Sequence, residues 1–325
     1  MLQASPLSAS ASAPPRRVGA VDVARGVALL AMALYHGSWD LTYLGLANFD
    51  LFNDPLWLAA RTGILGSFLI LSGLSLVLSA EGAAEGAAEG GIDRTRFLRR
   101  FALLVLAAGG VTAVSMVMFP DSPIFFGVLH HMAVASLLGL ALLRLPWPAL
   151  VLLGVGVIVV GKTVALPVFD EPWLRWIGLM TFEPESNDYV PIFPWFGAFL
   201  FGMGLGRLWR PAPAAVPGGT PGRWFAWAGR RSLLVYLIHQ PVLFGLLSLL
   251  AMGIGADPAD VRSFLTSCEA TCTASGGAAN HCAATCRCVS DELNRAGLWS
   301  GFINDRLTAD ASRKVDGIIQ SCGSR

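Results

Sequence analysis

Long apolar stretches recur along the first 253 residues, and short polar segments separate them. Most of these stretches reach the roughly 20 residues that an α-helix needs to cross a bilayer. The pattern predicts seven membrane-spanning helices, of which the fifth is the shortest. Their predicted bounds are 20–44, 57–79, 97–118, 124–143, 149–165, 191–209 and 232–252. We therefore expect an all-α, polytopic membrane helix bundle over residues 16–253.

The two ends of the chain differ from this pattern and from each other. Residues 1–15 are rich in Ser, Ala and Pro and lack the charged start and apolar core of a cleavable signal, which predicts a disordered leader. Residues 254–325 hold all six cysteines and few large apolar residues, which predicts a separate helical tail. The Pro/Gly-rich segment at 210–223 is typical of a hinge before the last span.

Composition supports a membrane protein and the arginines suggest its orientation. The chain is 54% hydrophobic and 14% charged, whereas soluble proteins carry roughly 25% charged residues. Short cytoplasmic loops hold an excess of Lys and Arg, so we place the N-terminus in the cytoplasm of an inner-membrane, multi-pass protein. Seven spans then leave the tail in the periplasm or outside the cell. The arginines on the predicted inner side are Arg16, Arg17, Arg94, Arg96, Arg99, Arg100, Arg144, Arg207, Arg210, Arg223, Arg230 and Arg231.

The tail cysteines form a twin C-x3-C pattern, "CEATCTASGGAANHCAATC". Two residues four apart share a helix face, and "ASGG" is typical of a turn, so a helical hairpin would nest the two pairs and leave a third. The preferred disulfides are Cys268 with Cys286, Cys272 with Cys282, and Cys288 with Cys322. Six cysteines allow fifteen connectivities. A zinc site that uses these thiols and His281 is the alternative, but an oxidising compartment favours disulfides.

Polar residues inside the first predicted span are candidates for chemistry, because ionisable groups in a membrane usually face a protein interior or a cavity. His36 and Asp40 are four apart, so the carboxylate can orient the imidazole and stabilise its cation, as a general base requires. Arg25 precedes His36 by eleven residues, which places it on nearly the same face, about 16 Å along the axis. Asp22 and Arg25 form a second same-face pair.

Other polar residues lie in or beside later spans: His130, His131, His239, Gln240, Asp188 and Tyr189. Pro241 should kink the last span. A structural role is the alternative at several positions. His131 and His239 can join helices by hydrogen bonds, the Asp22–Arg25 pair can be an anchor at the inner surface, and Asp188 can be an ordinary loop acid.

Five segments, taken in chain order, resemble bacterial membrane proteins grouped with the heparan-α-glucosaminide N-acetyltransferase catalytic domain. They are "RRVGAVDVARGVALLAMALYHGSWDL", "GSFLILSGLSL", "FFGVLHHMAVASLLGL", "DYVPIFPWFGAFLFGMGLGR" and "AGRRSLLVYLIHQPVLFGLL". The Arg-x10-His spacing is also similar to that of membrane acyltransferases that move acetyl groups from acetyl-CoA onto sugars across a bilayer. The resemblance makes Arg25 and His36 the motif positions. The loop "GLANFDLFNDP" lacks the outer-loop histidine of lysosomal relatives, and the cysteine tail lies outside the family pattern.

The resemblance and the residues together predict a transmembrane acetyltransferase. Cytosolic acetyl-CoA would be the donor, and its phosphates would meet an arginine-rich inner face, since guanidinium pairs bidentately with phosphate. We assign His36 and Asp40 to catalysis, with His36 as base or acetyl carrier. The donor-side candidates are Arg25, Asp22, His239, Arg230, Arg231 and Arg99. The candidates for binding an extracytoplasmic, sugar-like amine or hydroxyl acceptor are His130, Asp188 and Tyr189.

The sequence is also compatible with two other functional classes. A transporter of small molecules or lipids would also line a pathway with intramembrane charges, and it would show no acetyl-CoA turnover. A haem protein with His36, His131 and His239 as axial ligands would show a visible absorption spectrum. The expected partners are membrane lipid, acetyl-CoA and the acceptor, with no metal and no nucleic acid. A homo-oligomer is compatible with the sequence, which does not fix the oligomeric state.

Overall fold

The computed structural model describes residues 18–86, 94–120, 122–209, 216, 218–254, 258–303 and 305–323. This part of the chain is helical and contains no strand, which confirms the all-α prediction. The predicted leader, 1–15, lies outside the described residues. The helices are α1 (Gly19–Tyr43), α2 (Pro55–Gly86), α3 (Arg94–Met118), α4 (Val128–Leu142), α5 (Trp147–Thr163), α6 (Ile192–Leu208), α7 (Gly219–Arg230), α8 (Ser232–Ile254), α9 (Ala259–Ala274), α10 (Ala279–Arg295), α11 (Trp299–Ile303) and α12 (Ala309–Gly323).

The seven predicted spans coincide with α1 to α6 and α8. Among the described residues, four helices are long and apolar enough to cross a membrane: α1, residues 55–81 of α2, α3 and α8. The apolar helices α4, α5 and α6 are shorter, with 15, 17 and 17 residues. The prediction that the fifth span is the shortest is wrong, because α4 begins only at Val128. The Thr112 hydroxyl donates to the carbonyl oxygen of Ile124, and the Ser115 hydroxyl accepts from the Ile124 N–H. These bonds hold the residues just before α4 as a loop.

The described chain forms two compact units. The first unit comprises the described residues within 1–33 and 55–238, and the second comprises those within 34–54 and 239–325. Helices α1 and α8 therefore each contribute their first part to the first unit and their remainder to the second. The predicted domain boundaries at 15/16 and 253/254 are not tested by this division and stay predictions.

Helix α6 lies at the centre of the first unit, where it packs against both α2 and α5. Phe199, Leu200 and Met203 of α6 are fully buried. Glycines let the backbones approach closely, as is common between membrane helices. A Cβ on Gly73 of α2 would collide with the carbonyl oxygen of Phe199, and one on Gly202 would collide with that of Ile70. Larger residues at either glycine would force α2 and α6 apart.

Helix α7 replaces part of the hinge that the sequence predicts at 210–223. Its buried side is made of small residues, and a Cβ on Gly229 would collide with the carbonyl oxygen of Asp22 on α1. Its other side exposes Trp224 and Trp227. The Arg231 guanidinium lies 4.8 Å from the Trp227 ring centroid. Aromatic and basic residues on one side of a short helix beside a membrane span are typical of an interfacial helix.

The second unit contains the cysteine-rich tail, and its disulfides match the predicted pairing. Cys268 bonds to Cys286, Cys272 to Cys282, and Cys288 to Cys322. The chain turns between α9 and α10 at Gly276, whose φ of 91° lies in the left-handed region that favours glycine. Because all six sulfurs are paired, they offer no thiolate to zinc, and the alternative of a metal site with His281 falls away.

A small apolar core accompanies these disulfides. Val261, Leu265, Val289, Leu293 and Trp299 are buried together with two of the disulfide cysteines. The tail also contacts the loop that follows α1, since the Arg262 guanidinium donates to the carbonyl oxygen of Ala47 at 3.3 Å. The second unit thus combines a stapled set of short helices with the end of the first predicted span.

Candidate active site

A hydrogen-bonded chain of three side chains joins α1 to α8 within the second unit. His36 Nδ1 lies 2.8 Å from Gln240 Oε1. The Gln240 Nε2 group donates to Asp40 Oδ1 at 2.8 Å. The His239 ring lies edge-on to the His36 ring, with 5.1 Å between the ring centroids. We call His36, Asp40, His239 and Gln240 the His36 cluster.

The His36 cluster brings together residues that the sequence assigned to different roles. Asp40 was expected to orient His36 directly, but the hydrogen bonds run through Gln240 instead. Asp40 is fully buried, and its Oδ2 atom has no hydrogen-bond partner among the described residues. His239, assigned to the donor side, lies beside His36. Gln240 received no role, although a lone amide between His239 and Pro241 in an apolar helix was a usable signal.

Helix geometry explains how the four side chains meet. His36 and Asp40 are one turn apart on α1 and share a face, while His239 and Gln240 are adjacent on α8. Pro241 follows inside α8, which continues to Ile254. Because the proline has no N–H, the helix lacks one backbone hydrogen bond at this point.

The Asp22–Arg25 pair lies in the first unit, at the start of α1. The Arg25 guanidinium donates to Asp22 Oδ1 at 3.3 Å and also to the Ser75 hydroxyl on α2. Asp22 and Ser75 are buried. The predicted pair is therefore present, and it additionally connects α1 to α2. The other arginines assigned to the donor, Arg99, Arg230 and Arg231, have exposed side chains.

The residues assigned to the acceptor surround the first turn of α4, also in the first unit. Asp188 Oδ2 accepts from the Val128 N–H at 2.9 Å. His130 Nδ1 accepts from the Gly127 N–H at 3.2 Å, and His130 Nε2 lies 3.2 Å from the Thr112 hydroxyl. We call the side chains of Asp188, His130 and Thr112 the α4 cap. Its bonds satisfy backbone N–H groups that a helix start leaves without partners, and the acceptor-binding roles of His130 and Asp188 stay predictions.

Burial shifts the pKa of two neighbouring groups in the loop before α6, Asp188 and Tyr189. Burial raises the pKa of Asp188 above its usual value, and the hydrogen bond from Val128 opposes this shift. Burial also raises the pKa of Tyr189 to about 12. The Tyr189 hydroxyl donates to the carbonyl oxygen of Arg175 at 2.6 Å. Tyr189 is therefore a neutral donor that holds its own loop, and its acceptor-binding role stays a prediction.

His131, the neighbour of His130, is fully buried. Its Nδ1 atom lies 3.2 Å from the carbonyl oxygens of Val190 and Pro191, directly before α6. These contacts support the structural alternative, in which His131 connects α4 to the start of α6.

Each of the two units contains a cavity. One crevice between α3 and α4 is lined mainly by apolar residues, with His130 among them. A second cavity lies in the second unit, where Tyr43, Asp260, Asp291, Asn294 and Trp299 contribute to its wall. The second cavity offers aromatic rings, carboxylates and an amide, which are groups that bind polar molecules.

Comparison with known proteins identifies the family. Residues 17–241 match the family model described as heparan-alpha-glucosaminide N-acetyltransferase, catalytic. Neither the curated proteins nor the solved structures contain a significant match. The matched range includes His36, Asp40, Arg25 and Gln240, and it ends before the cysteine-rich tail. Because this range covers most of the chain, the protein belongs to the heparan-alpha-glucosaminide N-acetyltransferase catalytic-domain family, a family of membrane acetyltransferases.

Proposed function

We propose that the protein transfers an acetyl group from acetyl-CoA to an amine or hydroxyl group of a sugar-like acceptor. The observation that carries this proposal is the His36 cluster, in which a histidine inside a predicted membrane span is bonded through Gln240 to the buried Asp40. Such a histidine suits general-base chemistry, because hydrogen bonds orient the ring and a nearby carboxylate stabilises its cation.

In the proposed reaction, His36 takes the proton from the acceptor amine or hydroxyl while the acceptor attacks the thioester carbonyl carbon. The C–S bond then breaks, and the proton passes from His36 to the departing thiolate of CoA. In a two-step alternative, His36 attacks the thioester, the C–S bond breaks and CoA leaves as the thiolate, which gives an acetyl-histidine. The acceptor then attacks this acetyl group, its N–C bond to His36 breaks, and the acceptor proton neutralises the thiolate. Both routes regenerate neutral His36 and need no metal.

The donor is proposed to bind through its phosphates at the arginine-rich face. Arg25 presents a guanidinium fixed by Asp22 and Ser75, and preorganised guanidinium groups bind phosphate bidentately. The exposed Arg99, Arg230 and Arg231 supply further positive charge. The acceptor is proposed to approach from the opposite side of the membrane, where His130, Asp188 and Tyr189 shape its path.

The proposed location is the inner membrane, with lipid around the helices, the N-terminus in the cytoplasm and the tail in the periplasm or outside the cell. The excess of arginine in the predicted inner loops supports this orientation. Three disulfides in the tail also support it, since disulfides persist in oxidising compartments.

The test is acetyl transfer by the purified protein in lipid nanodiscs. Free CoA release from acetyl-CoA is measured with a panel of amino sugars and neutral sugars, for the wild type and for His36→Ala. We expect His36→Ala to lower the transfer rate by about a hundredfold or more, the usual scale for a lost general base. The matched control is His281→Ala, which removes an exposed histidine of α10 and should keep full activity. Full activity of a folded His36→Ala protein would eliminate the proposed reaction.

A further inference from the structure

Gln240 occupies an unusual position, because its amide separates an imidazole from a carboxylate that would otherwise be expected to meet. We infer that Gln240 is a positioning residue that fixes the tautomer of His36, with hydrogen on Nδ1 and the lone pair on Nε2. The inference on tautomer stands on hydrogen-bond geometry alone, and its consequence for catalysis rests on the proposed acetyl transfer.

The orientation of the amide follows from its carboxylate neighbour. A carboxylate oxygen accepts hydrogen bonds and the amide NH₂ group donates them, so Nε2 of Gln240 faces Asp40 Oδ1 at 2.8 Å. The amide oxygen must then face His36, where Nδ1 lies 2.8 Å away. An amide oxygen only accepts, so His36 Nδ1 carries the hydrogen.

A rotated amide would be costly at both ends. It would place the amide oxygen against the Asp40 carboxylate and the NH₂ group against a protonated Nδ1. Asp40 is fully buried, so no water is at hand to relieve the repulsion, and unpaired polar groups are expensive where they are buried. The buried carboxylate therefore fixes the orientation of the Gln240 amide, and the amide fixes which ring nitrogen of His36 carries the hydrogen.

This arrangement of Asp40, Gln240 and His36 has three consequences for the reaction. His36 Nε2 is the nitrogen that takes the proton from the acceptor, because neutral Nδ1 is already protonated. The imidazolium formed in that step donates more strongly to the polarised Gln240 oxygen, which stabilises the cation. An amide does not pass a proton between its ends, so Asp40 takes no proton from His36 during the reaction and acts by orienting Gln240.

A purely structural role is the competing explanation, in which Gln240 only joins α1 to α8. ¹⁵N NMR distinguishes the structural role from the tautomer-fixing role, because protonated and unprotonated ring nitrogens have well-separated ¹⁵N chemical shifts. The chain has five histidines, and the His36 signals are assigned by their loss in His36→Gln. His130 is an internal reference with the opposite tautomer, since the Gly127 N–H donates to its Nδ1.

We expect wild-type His36 to show a protonated Nδ1 and an unprotonated Nε2 near neutral pH without any substrate. In Gln240→Met, which keeps the side-chain length but removes the amide, the tautomers should mix. The control is Gln320→Met on the exposed side of α12, which should leave the His36 signals unchanged. A wild-type His36 protonated on Nε2, or an unchanged tautomer in Gln240→Met, would overturn the inference.

Kinetics supply the second readout. Gln240→Met should lower kcat about tenfold or more, a part of what a general base contributes, with the KM for acetyl-CoA unchanged. The double variant Asp40→Asn with Gln240→Glu exchanges the amide and the carboxylate. It restores an acceptor at His36 Nδ1, so it should restore the tautomer and recover part of the lost kcat. Lost activity with the restored tautomer would refute the catalytic consequence.

The two failures can be told apart. If a folded His36→Ala protein transfers acetyl at the full rate, the proposed function fails whatever the tautomer is. If His36→Ala is inactive but His36 carries its hydrogen on Nε2, the proposed function survives and the inference on Gln240 fails.

Discussion

The His36 cluster and the α4 cap each contain a histidine and an aspartate, and they differ in what the atoms of these side chains are bonded to. In the α4 cap, both nitrogens of His130 are engaged by neighbours, and Asp188 accepts from a backbone N–H at the helix start. In the His36 cluster, the imidazole reaches Asp40 only through Gln240, and Asp40 Oδ2 has no hydrogen-bond partner in the part of the chain that the structure describes. A histidine and an aspartate near each other therefore do not by themselves indicate chemistry.

The difference also concerns proton positions. The Gly127 N–H can only donate, so His130 Nδ1 is an acceptor and its Nε2 carries the hydrogen toward Thr112. The Thr112 hydroxyl donates its own hydrogen bond to the carbonyl oxygen of Ile124. All members of this chain are backbone or neutral groups, which is typical of a structural network. The His36 chain ends instead on a buried carboxylate, which stabilises a cation.

The largest expected difference between the two clusters is in acetyl transfer. Asp40→Ala should lower kcat about tenfold or more, because Gln240 is no longer held with its oxygen toward His36. Asp188→Ala should lower kcat far less, because Asp188 is proposed only to shape the path of the acceptor, and it should lower stability by about 0.5–2 kcal/mol, the range for a lost helix cap. The measurements are CoA release and thermal unfolding of both variants in the same detergent. An Asp188→Ala protein that keeps its melting temperature but loses as much kcat as Asp40→Ala does would contradict the capping role and would place Asp188 in the chemical step.

A smaller difference should appear in the dependence of stability on pH. The pKa of Asp188 is raised in the folded state, so the folded protein binds this proton more tightly than the unfolded chain does. Its contribution to stability is therefore full below the unfolded pKa of about 4 and is lost as pH rises through the folded pKa. Asp188→Asn keeps an oxygen for the Val128 N–H and removes the partly buried charge.

The melting temperature of Asp188→Asn should therefore exceed that of the wild type at neutral pH, and the two should converge toward pH 4. Thermal unfolding of both proteins across this pH range checks the prediction. A constant offset between the two curves would mean that burial does not perturb this carboxyl group.

The smallest expected effect on transfer is that of the disulfides, although they lie in the same unit as the His36 cluster. Each closes a short loop, with sequence separations of 18, 10 and 34 residues, and such loops stabilise by about 2–4 kcal/mol each. Reduction should unfold α9 to α12 and leave transfer nearly unchanged. Hydrogen exchange and CoA release, measured on the same reduced sample, test this. Loss of transfer on reduction would mean that the tail supports the His36 cluster.

The sequence predicts the features of this fold that depend on neighbours along one helix. Apolar length located the helices of the bundle, and the four-residue spacing of the cysteines led to the observed pairing through the hairpin turn. Asp22 and Arg25 meet for the same reason. The start of α4 was misplaced because Phe125 and Phe126 are apolar, while the hydrogen bonds of Thr112 and Ser115 that keep Ile124 out of the helix cannot be seen in hydropathy.

The candidate site was predictable only in part. The spacing rule selected His36 and Asp40 but paired them directly, because it considers one helix at a time. Gln240 lies 204 residues from His36 in the chain, and only the packing of α8 beside the end of α1 within the second unit brings it between the two. Helix α7 was not predicted, because the proline- and glycine-rich residues at its start were interpreted as a hinge. Trp224 and Trp227 nevertheless indicate an amphipathic helix.

During synthesis, Cys268 and Cys272 leave the ribosome before either of their partners. An oxidase that joined these first two thiols would create a bond that the native fold does not contain, because both lie on α9. Oxidation gives the native pairs directly only if the hairpin has already formed, with α10 folded back at Gly276. The bond between Cys288 and Cys322 further waits for α12. Correct biogenesis of the tail thus depends on folding that precedes oxidation, or on an isomerase that reshuffles early bonds.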